Sequence, residues 1–171
     1  RLDASPWVFS DDYSAALSEK VKSQGICLSD YPVRIGRGSS TGADTVFMLR
    51  KQGMEFIDSD GRVVDIESSI LKIPIFATNF GRYRFVQNES QVVIFPYFIN
   101  DTSYELIPES SLKADYPKAY RYLLSNRKTL EARKQFKTWY SYSAPRNLDV
   151  HNHANFLVPL LANTGMYCKL T

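Results

Sequence analysis

Cysteine is scarce in this chain: Cys27 and Cys168 are the only two, far apart in 171 residues. Two isolated thiols exclude a disulfide framework, and a reducing, cytoplasmic setting is the expectation. No C-x-x-C pair exists, and Cys27 reads as small core filler rather than as a nucleophile. Long apolar runs are also missing. No stretch approaches the ~20 residues that a membrane-spanning helix needs, so no membrane partner is expected. The opening Arg1-Leu2-Asp3-Ala4-Ser5-Pro6 has neither an initiator Met nor the apolar run of a signal peptide, as expected for a fragment of a larger protein.

Catalytic signatures are equally thin. There is no G-x-x-x-x-G-K-[ST] phosphate loop and no G-x-S-x-G elbow. Gly36-Arg37-Gly38 opens a G-x-G, but the third glycine of a dinucleotide fingerprint is missing. His151-Asn152-His153 offers two imidazoles at i, i+2 with no further ligand nearby, so a metal role is not expected. Asp65 and Glu67 read as a solvent-facing strand edge. The alternative is a metal-dependent nuclease pair, but no lysine follows on the same strand.

What is present is globular and aromatic. Hydrophobic residues make up 44% and charged residues 23%, with eleven Tyr, ten Phe and two Trp. The net charge of +3 is unevenly placed. Residues 1–110 hold 11 Lys/Arg against 15 Asp/Glu, a balance of −4, whereas residues 111–171 hold 10 against 3, a balance of +7. A basic C-terminal part suits a protein that offers one face to a polyanion, or a solvated basic helix.

Along the chain, Ser10 is placed to cap a helix over 10–24, with Tyr13, Leu17 and Val21 forming one apolar stripe and Gly25 ending it. From Ile26 to about Tyr104 the texture is short β-branched and aromatic runs: Val33–Ile35, Thr45–Leu49, Val63-Val64, Tyr83–Val86 and Val92–Phe95. Asp60-Gly61 between Phe56-Ile57 and Val63-Val64 is a hairpin turn signal. Ile70–Phe76 contains Pro74 and so belongs to an edge, a turn or a short helix start. Pro117 sits well at the first position of a long basic helix near 116–137. Arg127 falls on its apolar side, so it is paired inside or marks a break near Ser125-Asn126. Phe156–Val158 and Gly165–Cys168 read as closing strands. The expected fold is α+β in a single domain: a lead-in helix in 1–25, a β-rich lobe over 26–110, then helix and returning strands over 111–171.

Several pieces, in order, resemble the TaqI-like specificity domain of gamma-type adenine-N6 DNA methyltransferases. These are Ile35-Gly36 with Thr41-Gly42 and Phe47; Ile70-Leu71-Lys72 with Arg82-Tyr83; Val93–Tyr97; Tyr116-Pro117 with Ala119-Tyr120 and Leu130 with Arg133; and Trp139-Tyr140 with Pro145-Arg146. The pattern covers about residues 10–171. Departures are a long loop between Gly36 and Thr41, a displaced Pro74, and His-Asn-His-Ala at 151–154 where many members have Pro-Lys. The resemblance implies sequence-specific binding of double-stranded DNA beside a catalytic methyltransferase domain, in a restriction-modification system, with or without a fused nuclease. The Phe-x-Gly-x-Gly turn for S-adenosylmethionine and the Asn-Pro-Pro-Tyr motif are both missing, so the fragment is expected to have no catalytic residues, no cofactor and no methyl transfer of its own.

Three groups of DNA contacts are expected. Arg37, Ser39, Ser40 and Thr41 lie in a glycine-flanked loop, which is otherwise an ordinary polar turn. Lys72, Asn79, Arg82 and Arg84 form the second group, with the two arginines alternating on one strand, or else engaged in salt bridges. Lys118, Arg121, Lys128, Arg133, Lys134, Lys137 and Arg146 form a basic face for phosphates, with Arg133 alternatively a structural brace. Tyr97, Trp139 and Tyr140 either stack on nucleic acid or belong to the core. Competing functions are a protein-interaction module docking an acidic partner, and a small nuclease using Asp65, Glu67 and the histidines.

Overall fold

The computed structural model describes residues 11–27, 30–31, 34–76, 79–81, 84–150, 153–154, 156–159 and 168–169. Ser10, Val33, Arg82, Tyr83, His151, Asn152 and residues 165–167, all singled out above, lie outside them. The chain divides into two compact units, residues 1–35 and 36–171. In the first, helix α1 spans Asp12–Gln24. Its cap is Asp11, not Ser10: the Asp11 carboxylate accepts from the Ser14 N–H at 2.8 Å, and this holds its pKa below the ordinary carboxylate value. The expected stripe of α1 is not packed. Tyr13, Leu17 and Val21 are all exposed, so periodicity alone does not bury them.

The second unit is α+β, as the run pattern requires. Its centre is a five-stranded antiparallel sheet in the order β3-β2-β1-β7-β4, formed by β1 (Met48–Gln52), β2 (Glu55–Ile57), β3 (Val63–Val64), β4 (Leu71–Lys72) and β7 (Gln91–Ile94). The Asp60-Gly61 turn joins β2 to β3, and Gly61 takes φ +81°, where a side chain is strained. Leu71-Lys72 is an edge strand preceded by a 3₁₀ turn at Ser68–Ile70, in keeping with Pro74 nearby. Three smaller two-stranded pieces are β5 (Phe80–Gly81) with β6 (Arg84–Phe85), β8 (Tyr97–Ile99) with β9 (Tyr104–Leu106), and β10 (Phe156–Leu157) with β11 (Cys168–Lys169).

Two sequence expectations fail for identifiable reasons. Thr45–Phe47 is not strand: a short helix, α2 (Asp44–Phe47), precedes β1. Its start is set locally, since the Thr41 hydroxyl accepts from the Ala43 N–H and donates to the Asp44 carboxylate. The long helix expected near 116–137 is two short ones, α4 (Pro117–Ser125) and α5 (Arg127–Glu131), preceded by a further helix, α3 (Glu109–Asp115), that was not expected. The break falls at Asn126, whose side-chain amide donates to the Tyr122 carbonyl at 3.0 Å and so competes with the helical ladder. The helical run ends at Glu131, and residues 132–137 continue as turns and bends.

One core joins sheet and helices: Phe47, Leu49, Ile94, Leu112, Leu123 and Leu130 are fully buried in it. The tyrosines explain themselves here. Tyr142 donates to the Ile94 carbonyl at 2.7 Å, Tyr140 to the Ile107 carbonyl at 2.8 Å and Tyr122 to the Val46 carbonyl at 3.1 Å. Each ring contributes apolar area while its hydroxyl satisfies a carbonyl distant in sequence. Burial pushes the Tyr122 hydroxyl up to about 12 and the Tyr142 hydroxyl well above its ordinary value. Tyr97, Trp139 and Tyr140 are buried, which favours the core reading over stacking.

Asp65 and Glu67 have a structural task. The Tyr116 side chain makes no cap and Pro117 has no N–H, so the Glu67 carboxylate accepts from the Lys118 N–H at 2.8 Å and the Ala119 N–H at 2.9 Å. Asp65 pairs with the Lys118 ammonium at 2.7 Å, an exposed bridge of small energetic weight. Replacing Glu67 by alanine is expected to destabilise the fold by about 1–2 kcal/mol, the range of lost helix caps, with glutamine retaining part of it. Urea denaturation of both variants measures this, and an unchanged midpoint in Glu67→Ala would remove the capping role.

Candidate nucleic-acid interface

The glycine-flanked loop is not an ordinary turn. Residues 36–41 lie along residues 143–147 and are clasped to them across more than a hundred positions of sequence. Ser40 and Ala144 form an antiparallel bridge, with each N–H donating to the other's carbonyl at 3.0 Å. The Ser39 hydroxyl donates to the Arg146 carbonyl at 2.8 Å and accepts from the Arg146 N–H at 3.1 Å. The Asn147 amide donates to the Arg37 carbonyl at 3.1 Å. Asn147 itself adopts φ +49°, a left-handed conformation asparagine tolerates better than most residues.

Two glycines make the close approach feasible. A Cβ on Gly42, at φ +70°, would stand 1.9 Å from the Ser143 hydroxyl oxygen. A Cβ on Gly36 would meet the Asn147 side chain at 3.0 Å. Beneath the clasp lies Arg133. Its guanidinium donates to the carbonyls of Leu130, Thr41, Ser141 and Trp139 at 2.6–2.9 Å. It also lies over the Phe47 and Phe136 rings. Desolvation lowers its pKa from the usual arginine value. Its donors are directed inward at the backbone, so of the two roles expected for Arg133 the geometry is that of the brace. Thr41 is likewise buried and internally bonded, which departs from its expected place among surface contacts.

The remaining expected residues sort by placement. Arg37 and Arg146 are brought together on the clasp; both are exposed, and neither guanidinium has a carboxylate partner among the described residues. Ser40 is exposed beside them, and Ser39 holds the clasp through its hydroxyl. Lys134, exposed, follows the braced Arg133, and Lys137 is exposed farther along the same segment. Arg121 and Lys128 are exposed on α4 and α5. Lys118 is half-buried and held by Asp65. Lys72 does not join the clasp. It stands at the edge strand β4, by a cleft of about 220 Å³ lined also by Tyr97, Phe98 and Tyr116. Arg84 is exposed on β6, outside the five-stranded sheet, and Asn79 is half-buried just before β5. The alternation expected of Arg82 and Arg84 rests on a residue outside those described. Cys27, expected as core filler, is exposed.

Arg127 resolves the oddity in its helix pattern: it begins α5, pairs with Glu131 at 2.8 Å and covers the Trp139 ring at 5.2 Å. Sequence reasoning missed residues 143–147 as the other half of the clasp. Only the Pro145-Arg146 pair, noted as part of the resemblance, pointed there. Among the described residues no helix is long and apolar enough to cross a membrane, and no group of three or more His, Cys, Asp or Glu is placed to hold a metal ion. No protein-family model matches the chain, and no curated protein matches it.

Proposed function

We propose that this chain binds double-stranded DNA and reads its sequence, as the target-recognition domain of an adenine-N6 methyltransferase of a restriction-modification system in the cytoplasm. The observation that supports it most is the braced clasp, which holds Arg37 and Arg146 exposed and, among the described residues, without carboxylate partners. One side of it, with Arg133 and Arg146, belongs to the basic C-terminal part, residues 111–171 with 10 Lys/Arg against 3 Asp/Glu. A duplex is recognised by cations held in fixed register on its phosphates, and backbone pairing plus the Arg133 brace supply that rigidity. Lys134, Lys137, Arg121 and Lys128 add longer-range attraction. The methyl donor, S-adenosylmethionine, belongs on this reading to a separate catalytic domain of the parent protein, since its motifs are not in this chain. Under the nuclease alternative, Asp65 and Glu67 would have to leave the helix they cap and pair with.

Fluorescence-anisotropy titration against a mixed-sequence duplex across a salt series tests the proposal. Binding is expected to weaken linearly in a plot of log affinity against log salt. Arg37→Ala and Arg146→Ala are each expected to flatten that slope by about one unit. A folded chain with no duplex binding at low ionic strength would overturn the proposal and return the clasp to the protein-docking reading.

A further inference from the structure

The end of the β1–β2 hairpin is exposed on every residue, and no expectation above included it. At its base Leu49 is 1% exposed and Ile57 is buried, yet every residue from Arg50 to Glu55 is exposed, ending at Met54 with 95% exposure. β7 accompanies β1 as far as Arg50, paired with Gln91, and the Lys51 N–H donates to the Ser90 carbonyl at 2.8 Å; from Gln52 to Glu55 the ribbon pairs only with itself. Its turn is the tightest available: Gln52 pairs with Glu55, leaving Gly53-Met54 as a two-residue loop. Gly53 takes φ +62° and Met54 has no positive φ, the pattern of a type II′ turn, whose twist matches that of the strands it joins.

The register sorts its side chains. Arg50 stands opposite Ile57 and Gln52 opposite Glu55, so Arg50, Gln52 and Glu55 leave the ribbon on one face, while Lys51, opposite Phe56, leaves on the other. Among the described residues, none offers Arg50, Lys51, Gln52 or Glu55 a side-chain hydrogen bond or an ion pair. One face of a projecting ribbon thus presents a free guanidinium, a free amide and a free carboxylate in sequence. Those are the side chains that match guanine, adenine and cytosine edges respectively in the major groove. The dimensions also agree. β7 flanks β1 as far as Arg50, so the two-stranded part runs from Lys51 to the turn, roughly 7 Å at about 3.3 Å per residue, and the groove, about 12 Å wide and about 8.5 Å deep, admits a two-stranded ribbon.

We propose that the β1–β2 hairpin is the sequence-reading element, entering the major groove with Arg50, Gln52 and Glu55 toward base edges. Lys51 faces a phosphate strand, and Met54 brings the one apolar contact at the tip, where a thymine methyl is the apolar group on the groove floor. A protein partner is the less favoured occupant because the exposed ribbon has no apolar row, only its tip. This assignment rests on the DNA-binding reading and adds to it a division of labour: the clasp holds the backbone and the hairpin discriminates.

The test is selection of preferred sites from a randomised duplex pool by the wild-type chain, Arg50→Ala, Gln52→Ala and Arg37→Ala, with circular dichroism confirming that each is folded. The wild type is expected to enrich a site. Arg50→Ala and Gln52→Ala should each lose preference at one base position, with a roughly ten- to hundred-fold drop in discrimination, while their affinity for non-specific duplex stays close to wild type. Arg37→Ala should weaken binding to all sequences alike and keep the preferred site. If the wild type enriches a site that both hairpin variants retain at full discrimination, the hairpin is not the reader, although the DNA-binding proposal stands. If the folded wild type binds no duplex at all, the underlying reading fails and the hairpin assignment with it.

Discussion

Replacing Arg133 by alanine is expected to lower the stability of the second unit by about 3 kcal/mol or more, roughly 10 °C in Tm. The reason lies in what the side chain leaves behind. Four carbonyls, of Leu130, Thr41, Ser141 and Trp139, share its donors, and they belong to three separate stretches of chain. Alanine satisfies none of them and opens space against Phe47 and Phe136. Arg133→Lys separates a brace from a phosphate contact. An ammonium keeps the charge but not the planar fork that reaches carbonyls on two sides. A brace predicts that lysine is nearly as destabilising as alanine; a phosphate contact predicts wild-type stability and nearly wild-type DNA affinity. Thermal denaturation of both variants decides between them, and a lysine variant as stable as the wild type would end the brace assignment.

Gly42→Ala is expected to be of similar size, about 3 kcal/mol, from two causes that add. At φ +70° an alanine is strained by about 1–2 kcal/mol, and its Cβ would also lie 2.6 Å from the Ser143 Cβ, so backbone must move. The two causes separate in a double variant. Gly42→Ala in a Ser143→Gly background removes the clash and leaves the strain, so about half the loss should return. Chemical denaturation measures both. If the double variant is no better than Gly42→Ala alone, the contact with Ser143 is not what excludes a side chain. The clasp loosens in Gly42→Ala, so duplex affinity should fall together with stability, whereas Arg37→Ala lowers affinity alone.

Local chemistry was legible in the sequence; long-range pairing was not. Asp60-Gly61 marked its hairpin, Pro117 marked the start of α4, and Arg127 signalled the break at Asn126, because each depends on neighbours within a few residues. The α+β class followed from the run pattern. Thr45–Phe47 was misread because a β-branched, aromatic run carries the same signal whether it lies in a strand or in a helix capped by an upstream hydroxyl. The α1 stripe failed in the opposite sense: its spacing is helical, and helical spacing says nothing of what covers it. Of the candidate site, Arg37 and Arg146 were named for different reasons, and nothing local says that they share one clasp. Arg50, Gln52 and Glu55 escaped notice because projection from a core depends on where packing stops, which alternation along a strand does not reveal.

Ser39 and Arg146 are separated by 107 positions, so joining them closes nearly the whole second unit into a ring. Closing a flexible loop of that length carries an entropic cost of about 4 kcal/mol, comparable with the combined worth of the hydrogen bonds that hold it at about 1 kcal/mol each. The clasp is left with a net gain because the sheet and the Arg133 brace bring the two segments side by side and take up most of that cost. The β1–β2 ribbon, by contrast, pairs residues three to seven apart. Refolding therefore has an order: the ribbon assembles early and the clasp last. Under native conditions the same order runs backwards, and amide protons of residues 40 and 144 should exchange with solvent before those of β1 and β7, through openings that leave the core intact.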